Sequence, residues 1–113
     1  MPKDESFKEY VVTEVLGGVD GITARAMFGG YGIYRHDIFF ALIADGVLYF
    51  KINDTNRKDF QNYGSKQFIY ISPKGKKMMM DYYELPSEVM EDTDLVKDWV
   101  EKSYQIALKV KKR

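Results

Sequence analysis

Apolar residues recur at helical spacing over residues 4–16, where Phe7, Val11 and Val15 mark a stripe that Tyr10, Val12 and Leu16 widen. Gly17-Gly18 follows where such a helix would stop. The period then shortens to two. Residues 22–28 read as a strand, the glycines at 29, 30 and 32 lead into Ile33-Tyr34-Arg35, and His36-Asp37 makes a tight turn into residues 38–44. Asp45-Gly46 separates that run from a second apolar run, 47–52, and is a strong hairpin signal because Gly accepts the positive φ that a type I′ turn demands. Residues 53–60 open with capping side chains and run on to Gly64, which predicts a short helix with Phe60 and Tyr63 turned inward. Residues 67–72 and 77–83 flank Pro73-Lys74-Gly75-Lys76 as a second hairpin, and 86–90 read as one helical turn. From Asp92 onward, Leu95, Val96, Trp99, Val100, Ser103, Ile106, Ala107 and Val110 recur at helical spacing and give the longest helix.

With Asp45-Gly46 as a two-residue turn, Ala44 pairs with Val47, Leu42 with Tyr49 and Phe40 with Lys51, while Ile43 pairs with Leu48, Ala41 with Phe50 and Phe39 with Ile52. Alternation assigns Phe39, Ala41, Ile43, Leu48, Phe50 and Ile52 to a wholly apolar core face. Phe40, Leu42, Ala44, Val47, Tyr49 and Lys51 fall on a second face too apolar to stand bare in water. The same counting across His36-Asp37 pairs Tyr34 with Phe39 and Gly32 with Ala41. It places Gly30 and Gly32 on the core face, beneath a helix whose close approach needs the missing side chains, and Tyr31 and Ile33 on the second face. The first and last helices, with the widest apolar stripes, are expected on the core face and the short middle helix on the other. Tyr31, Ile33, Phe40, Leu42, Val47 and Tyr49 thus form a candidate interface, centred on Leu42 and Tyr49, for a homodimer or a protein partner.

The order helix, strands, helix, strands, helix, with turns too short for parallel crossovers, predicts an α+β fold. Its antiparallel sheet has five to six strands built from hairpins, packed with an N-terminal helix, a short middle helix and a long C-terminal helix. At 113 residues the chain is expected to form a single domain over 1–113. With no cysteine there is no disulfide framework, thiolate metal site or thiol nucleophile, in keeping with a reducing compartment. The first residues lack the apolar centre of a signal peptide, and no apolar run approaches the ~18–20 residues of a membrane span. A cytoplasmic protein without membrane contact is expected.

Seventeen basic residues balance seventeen acidic ones, so no global positive field draws the chain to nucleic acid. Candidate nucleic-acid contacts are local: Lys74, Lys76 and Lys77 in the second hairpin, and Lys111, Lys112 and Arg113 in the tail. The tail more simply complements a helix C-terminus, and direct nucleic-acid binding is the less favoured reading. Gly30-x-Gly32-x-x-Arg35 lacks the third Gly and precedes a strand, which excludes a dinucleotide fingerprint; Gly75-Lys76-Lys77 lacks the Ser/Thr and upstream Gly of a phosphate-binding loop. His36, the single histidine, sits in a turn without the partners of a general base or metal ligand. Asp81 and Glu84 flank Tyr82-Tyr83, which reads more simply as a surface hydrogen-bonded group than as acid–base machinery. Among Met78-Met79-Met80, the outer two are expected to fill core gaps and Met79 to face outward, and Trp99 is expected to anchor the core. Arg25, inside an apolar strand, either faces water or holds a carboxylate. These readings predict no enzyme, no catalytic residue, no cofactor and no metal.

The run Arg25-Ala-Met27-Phe28-Gly29-Gly30-Tyr-Gly32-Ile-Tyr34-Arg35 resembles the signature of the N-terminal domain of the TfoX/Sxy competence-regulator family. Ala44-Asp45-Gly46, Leu48-Tyr49-Phe50-Lys51, Asn56-Arg57 with Phe60 and Gly64, Tyr82-Tyr83-Glu84-Leu85-Pro86 and Trp99 follow in that family's order. The resemblance implies a bacterial regulator of competence (DNA-transformation) genes that acts by protein contact, with a cyclic-AMP-responsive transcription activator as partner. It implies the same α+β fold. The two-domain regulators also carry a helical C-terminal domain that this sequence does not include. Two alternatives stand beside that reading: a small-ligand-binding domain or enzyme using the Tyr-rich face, and direct nucleic-acid binding through the basic hairpin and tail.

Overall fold

The structure, a computed structural model, describes residues 5–27 and 29–111; Asp4 at the predicted helix start, Phe28, Lys112 and Arg113 lie outside the described residues. Helix α1, Glu5–Tyr10, runs into a π-helical turn, Val11–Val15, closed by the Leu16 N–H donating to the Val11 carbonyl at 2.8 Å. The wider turn lets Val11, Val15 and Leu16 all enter the core. Six strands follow: β1 Ile22–Met27, β2 Gly30–Arg35, β3 Ile38–Ala44, β4 Val47–Lys51, β5 Gln67–Ile71 and β6 Lys77–Glu84. They make one antiparallel sheet in the order β1-β2-β3-β4-β6-β5, an α+β fold. Helices α2 (Arg57–Gln61), α3 (Ser87–Met90) and α4 (Thr93–Lys111) complete it.

Both tight turns have the backbone their residues imply. His36 (φ 49°) and Asp37 (φ 66°), then Asp45 (φ 52°) and Gly46 (φ 75°), have positive φ at both central positions, the requirement of a type I′ turn. The β3–β4 register is the one that Asp45-Gly46 dictates: Ala44 faces Val47, Ile43 faces Leu48, Leu42 faces Tyr49 and Ala41 faces Phe50.

The β2–β3 register departs from the two-residue count. Tyr34 faces Phe39 as expected, but Ile33 faces Ala41, so Phe40 is an extra residue on β3, a β-bulge. Phe40 and Ala41 both turn toward the helices and are fully buried, and the Phe40 ring meets Phe50 edge-on at 5.6 Å. Everything beyond the bulge changes face. Gly32 faces Leu42, while Tyr31 faces Ile43. Three residues of the candidate interface are therefore corrected: Ile33 and Phe40 lie in the core cluster, and Tyr31 packs against it. Phe39 moves the other way, to the second face, as do Gly30 and Gly32.

None of the described helices supplies the atoms nearest to a Cβ at Gly30 or Gly32. A Cβ on Gly30 would run into the Ile43 carbonyl oxygen of the neighbouring strand, whereas one on Gly32 would meet the movable end of Met27, at 2.7 Å from Cε, and the Phe39 ring at 3.0 Å. The bare positions serve strand packing and an aromatic neighbour, not a helix crossing.

All the described helices feed one core, built on the sheet face that carries Ile33, Ala41, Ile43, Leu48 and Phe50. Helix α2 joins that side through Phe60, whose ring packs on Trp99 at 4.6 Å and Tyr83 at 6.0 Å, so it does not cover the opposite face. Tyr63 is exposed, touching Trp99 at 5.8 Å. Buried Asn56 ties the end of β4 to α2: its Oδ1 accepts from the Asn53 N–H at 2.9 Å and its Nδ2 donates to the Lys51 carbonyl at 3.2 Å. Ser103 of α4 donates to the same carbonyl at 2.8 Å.

Candidate functional site on the open sheet face

The second face of the sheet follows from the registers: Arg25 and Met27 on β1, Gly30, Gly32 and Tyr34 on β2, Phe39 and Leu42 on β3, Val47, Tyr49 and Lys51 on β4, Tyr82 on β6. None of these joins the core cluster. Leu42 and Tyr82 are nonetheless buried, shielded by the aromatic side chains around them.

A row of side chains from five strands crosses this face near the His36-Asp37 turn. The Arg25 guanidinium stands 4.7 Å from the Tyr34 ring, Tyr34 lies 5.4 Å from Phe39, Phe39 lies 5.9 Å from Tyr82, and the Lys51 ammonium stands 5.0 Å from the Tyr82 ring. Cations thus close both ends of three tilted rings. Arg25, mostly exposed, also reaches Asp37 at 3.7 Å, so it faces water and holds a carboxylate together. Burial pushes the Tyr82 phenol up to about 12, with the Asp81 charge and Tyr34 adding to the shift. At neutral pH Tyr82 is a hydrogen-bond donor and no base. A second aromatic pair, Tyr49 on Phe68 at 4.8 Å, stands across the face; burial raises the Tyr49 pKa as well, helped by Glu84 and Asp45.

Between the row and that pair runs an apolar groove of about 310 Å³, lined by Phe39, Leu42, Phe68, Tyr70, Met78, Met80 and Tyr82. Met78 and Met80 therefore line the open groove, a correction to their core assignment; Met78 is 42 % exposed. The signal for them was in the alternation itself, since Met80 shares its face with Tyr82 and Tyr82 pairs with Lys51. Flexible thioethers and aromatic rings around a shallow trough suit an apolar side chain from a partner better than a polar small molecule, which needs convergent polar groups.

The remaining sequence candidates are placed as follows. Tyr83 and Pro86 are buried, Tyr83 against Phe60, and Trp99 anchors α2 on α4. Arg57 is ion-paired to Asp54 and Gly29 takes φ 76° at the β1–β2 turn. His36 is exposed; its N–H donates to the Gly21 carbonyl at 2.9 Å and its ring meets Tyr104 edge-on at 6.2 Å. Among the described residues there is no group of three or more His, Cys, Asp or Glu suited to hold a metal, and no helix is long and apolar enough to cross a membrane. Lys111 borders a cleft with Lys51, Tyr34 and Tyr82, but Asp37 lines it too. Lys77 lies five residues along β6 from Tyr82, about 16 Å of strand, with exposed Asp81 between. The hairpin lysines and Lys111 do not make one unbroken basic track.

Compared with known families, residues 14–107 match the TfoX N-terminal domain. A search of curated proteins returned no match.

Proposed function

The chain belongs to the TfoX N-terminal domain family, and on that premise we propose that it is a non-catalytic docking module in competence-related gene regulation, taking a protein partner on the open sheet face. The observation that supports this reading is the groove of about 310 Å³ between the Arg25-to-Lys51 row and the Tyr49–Phe68 pair, apolar along its floor and flanked by methionines. An apolar anchor from the partner fills the groove, and the ring-bound cations at its side meet acidic groups around that anchor. A transcription activator is the partner class to which the competence role directs the test. Titration of the labelled domain with the purified cyclic-AMP-responsive activator checks it. Met78→Lys puts a charge in the groove at an exposed position and is expected to weaken binding at least about tenfold, with thermal melting unchanged. Equal binding by wild type and Met78→Lys overturns the groove as docking site, and absence of binding by the wild type overturns the choice of partner.

A further inference from the structure

The two edges of the sheet are finished differently. Edge strand β1 exposes Thr23 and Arg25, and the π-helical turn leans on it. Edge strand β5, Gln67–Ile71, has no charge, proline or glycine within it, and among the described strands it pairs with β6 alone. Natural edges are blunted by charge, proline or a bulge because an open row of N–H and C=O groups invites another strand. The irregularity in the β5–β6 pairing does not blunt β5. From the pair Gln67–Tyr83 to the pair Ile69–Met79, β5 advances two residues and β6 four, so the extra residues belong to β6, and the Gln67 amide donates to the Met80 carbonyl among them at 2.8 Å. β5 itself is uninterrupted. Past Gln67 its side chains present apolar surface on both faces: Ile69 is 40 % and Ile71 59 % exposed on the helix side, next to Met79 at 60 %, while Phe68 and Tyr70 line the open groove.

We propose that β5 pairs antiparallel with β5 of a second copy, about a twofold axis through Ile69, joining two six-stranded sheets into one. A second copy is the occupant that fits because the strand is complementary to itself. With Ile69 facing Ile69, Phe68 of each copy meets Tyr70 of the other, Gln67 meets Ile71, all five positions are paired and no like charges oppose. The exposed Ile69, Ile71 and Met79 beside the paired backbone add apolar surface that the second copy covers. The second copy also extends the outer wall of each groove, since Phe68 and Tyr70 belong to groove and edge alike.

Sedimentation of the full chain over a range of concentrations is expected to show a monomer–dimer equilibrium. Ile69→Lys sets two ammonium groups face to face and is expected to raise the dimer dissociation constant about tenfold or more, ~1.4 kcal/mol. The chain has no cysteine, so Ile69→Cys gives a second readout independent of the lysine variant. Under mild oxidation it is expected to form a covalent dimer much faster than Gln61→Cys on exposed α2. A wild type monomeric at every concentration, a dimer that Ile69→Lys leaves intact, or cross-linking no faster at 69 than at 61 overturns the proposal.

Discussion

The two faces of the sheet are made from the same kinds of residue and do opposite things. On the helix side, Ile33, Phe40, Ala41, Phe50 and their neighbours are locked under α4 and the N-terminal helix, and the aromatic contacts there, Phe40 on Phe50 and Phe60 on Trp99, are edge-on and buried. On the open side, Tyr34, Phe39 and Tyr82 pack in one row and Tyr49 packs on Phe68 in a separate pair, outside the core cluster, with Arg25 and Lys51 on the rings of the row and a groove between row and pair. Aromatic content therefore says nothing about which face is the core. Which face is covered decides it, and the family signature is divided accordingly: Tyr83, Pro86, Trp99 and Asn56 serve the covered side, while Arg25, Met27, Gly32, Tyr34 and Tyr82 build the open one.

The largest test of that division uses two adjacent phenylalanines. Phe40→Ala should cost about 3–5 kcal/mol, the range for emptying a buried aromatic site. Phe39→Ala, which removes ring contacts at a half-exposed site, should cost about 1 kcal/mol. Urea melts of the two variants compare them directly; equal losses would mean that the bulge at Phe40 does not separate the faces.

A smaller contrast comes from the glycines. Gly30→Ala pushes a methyl group into the Ile43 carbonyl, where backbone must move, and should cost about 1–3 kcal/mol. At Gly32 the same methyl displaces only the end of Met27 and crowds Phe39, so Gly32→Ala should cost under about 1 kcal/mol. The ranking of the two melting temperatures checks it, and the reverse order would restore Gly32 to the crowded side.

The smallest expected effect is a pH dependence confined to the open face. Burial raises the folded-state pKa of Tyr82 to about 12, above the ~10 of a free phenol. The folded state therefore holds this proton more tightly than the unfolded state. The associated stability is complete below about pH 10 and is lost as pH climbs toward about 12. Between about pH 9 and about pH 11.5, the wild type should lose more stability in urea melts than Tyr82→Phe. Parallel curves would show that Tyr82 is not shielded by its row.

Much of this was legible in the chain. The Asp45-Gly46 turn fixed the β3–β4 pairing to the residue, because a two-residue turn with two positive φ values leaves no freedom in register. The long stripe from Leu95 to Val110 found α4, and Trp99 was recognisable as an anchor because its spacing put it at the centre of that stripe. The candidate site was legible only in part. Leu42, Val47 and Tyr49 were correctly placed on the second face, whereas Tyr31, Ile33 and Phe40 were placed there by a count that a single bulge invalidates. Phe39-Phe40-Ala41 carries no local mark of that bulge: three apolar residues in a row satisfy either register. The groove-lining Met78 and Met80 were misplaced for a related reason, since a methionine is equally at home in a core or in an open trough.

The sequence alone determined the α+β class, the hairpins, the helices and the family, since those depend on local period, turn chemistry and a spaced motif, all carried by neighbours along the chain. Only the tertiary structure decided which face is covered, because α2 could reach either side until Phe60 met Trp99 and Tyr83. It also decided that β6 inserts between β4 and β5 and leaves the uncharged strand β5 at the edge. Strand order across a sheet is set by long-range pairing, where the contacts that choose between partners are made by residues far apart in sequence and leave no trace in the local pattern.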